Sequence, residues 1–365
     1  MICQKTMNKG SILAAGYTTR HVVRSAARAG YTVYAVDHFC DEDLIPYCAD
    51  HLAFDEVEEL PFAVDAMLKK HDIDYVVTTS GAELLDLPKR LGTAPQTAAP
   101  FMDKGATQAF FEKTGVPVPE LLLPGIYPAM LKTTSGSGGW RNALVRNEDE
   151  EKTWCEFVEN VPYLRQKFIE GQPASVCCLG TPDGRAMVLT TNEQILRGGE
   201  TCQYAFSGSV TPCSHPMAAR MKETGEKIAA ACGCVGTFGI DFVLTEDEAY
   251  AIEINPRFQG TVETVEQSLG INIFKLHKAA CEGVLPKTAP APKQYAVRKI
   301  LAAPHDLTLK ADLSVLADFI TDIPSPGTFF EEGEVMFSVT ASGKTREDAL
   351  ERLHKNISLA IQHIS

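Results

Sequence analysis

The stretch that most constrains this chain runs from Phe238 to Arg257. Phe238 to Leu244 is mostly apolar and rich in β-formers, which reads as a buried strand. Thr245-Glu246-Asp247-Glu248 is a polar turn, and Ala249 to Ile254 is a second strand of alternating character. The two make an antiparallel hairpin that carries Asp241, Glu253 and Asn255. Glu253 and Asn255 are two apart and point to one face, and Asp241 can lie opposite them. Two carboxylates and an amide on a strand face are costly to bury unless a cation neutralises them. Hard oxygen donors at that density suit Mg²⁺ bridging substrate phosphates. The competing reading is a solvated face with incidental acids. The otherwise apolar strands, and Arg257 directly after them, argue against it.

Composition narrows the function classes. The 365 residues are 45% hydrophobic and 22% charged, which is soluble globular composition with length for two or three domains. The net charge of −13 disfavours general binding to a phosphate backbone. No apolar run approaches the roughly 18 residues of a membrane span. Met1 to Thr6 lacks the apolar core of a signal peptide. The 11 cysteines are scattered without zinc-ligand spacing, so they read as small hydrophobes in a reduced, cytoplasmic protein.

Ser11 to Gly16 is a short strand. Thr18 or Thr19 can cap a helix running to Ala29, and Tyr31 to Val36 is the next strand, ending at Asp37. This β-α-β unit opens a parallel sheet. Only Gly16 stands where a dinucleotide fingerprint wants three glycines, so the unit reads as a scaffold walling a substrate site rather than an NAD site. Asp37 and Asp41-Glu42-Asp43 follow the second strand, where open α/β sheets bind ligands; a solvated acidic loop is the alternative. A helix over Pro61 to Lys70 leads to a strand over Tyr75 to Thr79. Glu83 beyond it is either a substrate-wall residue or a helix-start acid.

A helix opens at Asp103-Lys104 and ends at Gly115. Pro128 to Lys132 is a strand, followed by the Gly/Ser/Thr loop Thr133 to Arg141 and a strand over Ala143 to Val145. Such a loop can wrap phosphates with backbone N–H groups. It is not a P-loop, because no Gly-Lys-Ser/Thr ends it and no helix follows. Tyr163 to Ile169 is a strand, and Gly184 to Thr191 another. The polar stretches 192–199 and 204–212 are expected to face phosphates and the acceptor, with Gln194 and Arg197 as candidates. A helix over Met217 to Cys232 precedes the hairpin. Further helices (Thr261 to Leu269, Phe274 to Glu282), strands (Tyr295 to Ala302, Val335 to Thr340) and a closing helix (Glu347 to Ile364) complete the chain.

Asp241 followed by Glu253-x-Asn255-Pro256-Arg257 resembles the metal site of the ATP-grasp superfamily. Those enzymes use ATP and Mg²⁺ to activate a carboxylate as an acyl phosphate, which a nucleophile, usually an amine, attacks. The resemblance spans the chain in order, and looks closest to the carboxylate–amine ligase and predicted ATP-dependent carboligase branch. It implies an α/β (α+β) ATP-grasp fold with an N-terminal Rossmann-like parallel-sheet scaffold at 1–98, and a linker helix and connector at 99–125. A small lid subdomain would fill 126–184, and a large subdomain 185–365. Asp241, Glu253 and Asn255 would hold Mg²⁺, with two ions expected and Mn²⁺ an alternative. Lys104, Lys132 and the loop Ser135, Gly136, Ser137, Gly138 and Gly139 would contact ATP phosphates. Gln166, Lys167, Phe168 and Ile169 match the adenine hinge. Pro173 falls where a ribose carboxylate is usual, leaving Glu170 as the nearby acid. Arg257, with Gln194 and Arg197, would act at the reacting groups. The expected activity is ADP-forming joining of a small carboxylate to an amine in a homo-oligomer, with no nucleic-acid or membrane partner. A bicarbonate-using carboxylase and a non-catalytic nucleotide sensor are the alternatives.

Overall fold

The computed structural model describes residues 9–136, 138–199 and 202–364. The first unit contains β1 (Ser11–Ala15), α1 (Arg20–Ala29), β2 (Thr32–Asp37), β3 (Asp50–Ala53), α2 (Leu60–Lys70) and β4 (Tyr75–Thr78). Its four strands are parallel, in the order β3-β2-β1-β4. β1 shows why the pattern is continuously apolar. Ile12 and Ala14 pack on Val22, Val23 and Ala26 of α1, while Leu13 and Ala15 pack with Leu60, Val64 and Met67 of α2 on the other face. β3 was not legible in the sequence, because Asp50-His51-Leu52-Ala53 is an exposed edge strand with no apolar run. The expected hydroxyl cap of α1 does not form. Thr19 sits at the N-cap, but its Oγ1 donates to Asp37 Oδ2 at 2.8 Å instead.

After the single turn α3 (Pro95–Ala98), α4 (Lys104–Thr114) starts at Asp103, whose carboxylate accepts from the Ala106 N–H at 2.7 Å. A small antiparallel sheet follows, in the order β6-β5-β7, from β5 (Ala129–Thr133), β6 (Ala143–Val145) and β7 (Tyr163–Lys167). It is covered by α5 (Glu148–Phe157), with Trp154 packed against Ala129, Leu131 and Val145.

The large sheet begins at β8 (Gln172–Gly180) and continues through β9 (Ala186–Leu196), β10 (Phe206–Thr211), β11 (Gly236–Leu244), β12 (Ala249–Asn255) and β13 (Tyr295–Ala302). β14 (Leu307–Thr308) and β16 (Phe329–Phe330) form a separate ribbon, while β15 (Ile320–Thr321) and β17 (Val335–Gly343) complete the large sheet. Its order is β12-β11-β8-β9-β10-β13-β17-β15, antiparallel throughout. The helices α6 (Ala218–Cys232), α7 (Val262–Leu269), α8 (Ile273–Cys281) and α9 (Arg346–Ile364) cover it. Cys177 and Cys178 are both buried on opposite faces. Cys178 joins Phe238, Ile240 and Phe242 beneath α6, and Cys177 joins Phe258, Val265 and Phe274 from the α7–α8 side. That second cluster is continuous with the α1 face of the first sheet, which fixes the scaffold against the large sheet.

Within the polar stretches expected to face phosphates and the acceptor, 192–196 and 206–211 are strand. Their hydroxyls and amides are buried against each other: Thr211 Oγ1 donates to Asn192 Oδ1 at 2.7 Å and to Thr264 Oγ1 at 2.9 Å. Internal pairing lets polar residues occupy a sheet interior, so their polarity did not mark solvent. No helix among the described residues is long and apolar enough to cross a membrane.

Candidate active site

The β11–β12 hairpin, the β5–β6 loop, the β7–β8 link and the carboxyl end of the first sheet enclose a cavity of about 730 Å³. The hairpin has the expected register, with Asp241 opposite Glu253 and Gly239 opposite Asn255. A bulge after Asp241 puts Ile252 out of register, so Ile252 and Glu253 both line the cavity although adjacent in sequence.

Asp241 is held by three amides. Gln194 Nε2 and Gln259 Nε2 donate to its Oδ1 at 3.0 and 3.1 Å, and Asn255 Nδ2 donates to Oδ2 at 3.1 Å. Gln259 was missed in the sequence. It reaches Asp241 by lying across Gly239, where a Cβ would come within 2.0 Å of its amide atoms; the only sequence signal is that glycine inside a strand. Burial and then the Glu253 charge push the Asp241 carboxyl up to about 7, against the pull of Arg257 and the amides. Among the described residues Glu253 has no hydrogen bond or ion pair to its carboxylate.

Arg257 ties the hairpin to the first sheet. Its Nε donates to Glu83 Oε1 at 2.7 Å, Nη2 to Asn255 Oδ1 at 3.2 Å and Nη1 to the Phe258 carbonyl at 2.9 Å. Glu83 is 5% exposed and no helix starts at it, so its place is in the cavity's ionic frame.

Lys132, near the end of β5, lines the cavity from above the hairpin. Burial pulls its ammonium down to about 8, with Lys104 acting in the same sense and Glu253 and Asp241 opposing. Lys104 is not among the lining residues; its Nζ donates to the Gly136 carbonyl at 2.6 Å, and its own N–H to Thr134. Ser135 lends its carbonyl to Thr133 Oγ1 at 2.7 Å, and Gly138 accepts from the Phe206 N–H at 3.0 Å. Gly138 and Gly139 line the cavity, and Ser137 lies outside the described residues. At Gly139 any Cβ would meet the Tyr204 carbonyl oxygen at 2.5 Å, so only glycine allows this approach.

Gln166, Lys167, Phe168 and Ile169 all line the cavity. The Gln166 side chain is committed to Gln108 Oε1 at 2.8 Å, and the Lys167 N–H to the Glu120 carbonyl at 2.7 Å. Among the described residues Phe168 and Ile169 carry no backbone hydrogen bond, so their N–H and C=O groups remain available beside the apolar Met130, Val243 and Ile252. Glu170 is exposed and does not line the cavity, whereas Pro173 does. Arg197 also lies off it, donating to the Gly333 carbonyl.

The residues fit a hard cation. Two carboxylates crowd each other, one of them has no hydrogen bond or ion pair among the described residues, and an amide oxygen stands beside them. No group of three or more His, Cys, Asp or Glu among the described residues could hold a metal by itself. The remaining positions on such an ion would therefore fall to phosphate oxygens and water.

The fold combines a four-stranded parallel sheet, a three-stranded sheet and a large antiparallel sheet carrying paired acids, and residues 101–261 match the family model described as an ATP-grasp domain. Residues 101–261 are thus similar to an ATP-grasp domain. An uncharacterized protein of Methanocaldococcus jannaschii is 26% identical over 90% of this chain and 87% of its own length. The carbamoyl phosphate synthase large chain of Thermus thermophilus is 25% identical over 78% of this chain, which spans only 31% of that relative. Among solved structures, the L-amino acid ligase of Bacillus licheniformis superposes with a TM-score of 0.74 over 96% of this chain and 98% of its own, at 16% identity, a likeness of fold.

Proposed function

We propose that the protein is an ATP- and Mg²⁺-dependent carboxylate–amine ligase that releases ADP and phosphate. The observation that carries this is the crowded Asp241–Glu253 pair in a cavity that Lys132 also lines, together with Phe168 and Ile169, which carry no backbone hydrogen bond among the described residues. The matches to a ligase and to carbamoyl phosphate synthase support it.

A substrate carboxylate oxygen attacks the γ-phosphorus of ATP, the bond to the β–γ bridging oxygen breaks, and ADP leaves. The amine nitrogen then attacks the acyl carbon, the carbon–oxygen bond to phosphate breaks, and the amine's proton passes to solvent. Mg²⁺, as two ions on this donor set or Mn²⁺ in its place, supplies charge neutralisation at the β- and γ-phosphates. Asp241, Glu253 and Asn255 hold the cation, and Gln194 and Gln259 fix the aim of Asp241. Lys132 pairs with phosphate oxygens, and the backbone at Gly138 and Gly139 covers them. Phe168 and Ile169 take the adenine edge. Arg257, held rigid by Glu83, stabilises charge developing at the reacting centre. Closure of the glycine loop excludes water and protects the acyl phosphate.

Product chromatography tests the reading. Incubation with ATP, Mg²⁺ and pooled carboxylates and amines is expected to yield ADP and phosphate. AMP and pyrophosphate would contradict it.

A further inference from the structure

Four acids follow the second strand of the scaffold sheet, and the structure uses three of them. Asp37 accepts from the N–H and hydroxyl of Thr19, and from the N–H groups of Phe39 and Cys40. Glu42 accepts from Ser325 Oγ at 2.5 Å. Asp43 faces Arg20 Nη1 at 3.3 Å and accepts from the Ile323 N–H at 2.9 Å.

Asp41 differs. It is only 8% exposed and it lines the cavity. Among the described residues its carboxylate has no hydrogen bond and no ion pair within 4 Å. Burial, then the charges of Asp322, Asp37 and Asp43, push its carboxyl up to about 9. Its oxygens are not among the fully buried unpaired side-chain atoms, so they open onto the cavity, and an acid so little exposed with no protein partner loses most of its hydration uncompensated. A solvated loop would not bury it.

The cations nearby are already committed. Arg20 pairs with Glu263 at 2.5 Å and Asp322 at 2.6 Å, and Arg298 pairs with Asp322 at 2.5 Å. Among the described residues the guanidiniums on this wall already face carboxylates; Arg298, which lines the cavity, keeps only its Nε without a hydrogen bond, 3.6 Å from Glu263. Beside Asp41 the cavity surface is aromatic: Tyr17 and Phe39 are 37% and 44% exposed, edge to face at 5.4 Å. We infer that the Asp41 wall is the amine subsite, taking a primary ammonium on an apolar body that lacks an α-carboxylate. This rests on the ligase reading, in which one substrate is an amine. The ammonium supplies the counter-charge that the fold withholds from Asp41, and the body packs on Tyr17 and Phe39.

Calorimetric titration of the full chain, with Mg²⁺ and the β,γ-imido analogue of ATP, tests this with phenethylamine, phenylalanine and 2-phenylethanol. Phenethylamine is expected to bind about 30-fold tighter than the other two, the scale for a buried charge partner. Asp41→Asn should erase that preference and leave the affinity for the ATP analogue unchanged. No binding of phenethylamine, equal binding of the three, or a preference that survives in Asp41→Asn would overturn the inference. The ranking in the unmutated protein decides the matter even if the variant folds poorly. Failure of the ATP analogue to bind would instead remove the ligase reading, and the amine ranking without nucleotide would still decide the subsite.

Discussion

Two charge clusters, one lining the cavity and one reaching it only through Arg298 and Asp322, are built on opposite principles. Around Arg20, the acids other than Asp41 have their cations: Arg20 and Arg298 share Glu263 and Asp322, and Arg20 also faces Asp43. Against burial, which acts upward, Arg20 and Arg298 hold Glu263 down to about 2 and Asp322 well below the usual carboxylate range. Around Asp241 the acids face each other, and burial with the Glu253 charge lifts Asp241 to about 7. The first cluster joins α1, α7, β13 and the loop after β15, so its charges are spent on assembling the fold. The second is left short of positive charge. Such a deficit is what the proposed cation site requires, since a site that takes up a cation is incomplete without it.

The comparison breaks most sharply at Arg20. Arg20→Met leaves three acids without their main partner in a site where Arg20 is 1% exposed. The expected loss is about 3–5 kcal/mol of stability, read by denaturant unfolding, because removing one member of a buried pair strands the others. A loss below about 1 kcal/mol would mean water already screens the cluster.

Lys132→Ala should do the reverse. A charge-assisted phosphate contact is worth about 1.5–3 kcal/mol, so ATP affinity should fall roughly 10–100-fold. The unliganded protein should melt no lower, since a desolvated ammonium has been removed. Unchanged affinity in an equilibrium titration would place Lys132 outside the nucleotide contacts.

The remaining expected effect, at Asp41, is a dependence on pH. Its folded-state pKa of about 9 lies above the ordinary 3.8, so the folded chain keeps a proton that the unfolded chain releases. The stability this contributes is complete below 3.8 and is lost as pH rises through about 9. Asp41→Asn should therefore gain on the wild type in melting temperature as pH is raised across that range. A constant difference at every pH would show that Asp41 is already ionised.

The contrast also separates what the sequence could and could not reveal. The hairpin was legible because its chemistry is local: Asp241, Glu253 and Asn255 lie within 15 residues, and strand alternation alone sets their faces. The loop between β5 and β6 and the strand β7 were legible for the same reason. The Arg20 cluster was not, since its partners lie 243 and 302 residues away and no local pattern encodes them. Glu83 looked like a possible helix-start acid until Arg257, 174 residues on, claimed it. Polar composition drew Arg197 into the candidate set, whereas the structure points its guanidinium at the Gly333 carbonyl. The same composition concealed β10, whose hydroxyls are paired inside the sheet. Asp41 sat in a run of acids, and only the three-dimensional count of partners distinguishes it from its neighbours.

The central claim is that the crowded acids of the hairpin hold the cation on which phosphoryl transfer depends. Glu253→Gln keeps the size and hydrogen-bonding capacity of the side chain and removes one charge. ADP formation at saturating Mg²⁺ and the metal-free melting temperature should be measured together on this variant. The account predicts a rate lower by about 10²–10³, the cost of one transition-state electrostatic contact, with a melting temperature equal to or above that of the wild type because carboxylate repulsion is relieved. Near wild-type ADP formation would contradict it.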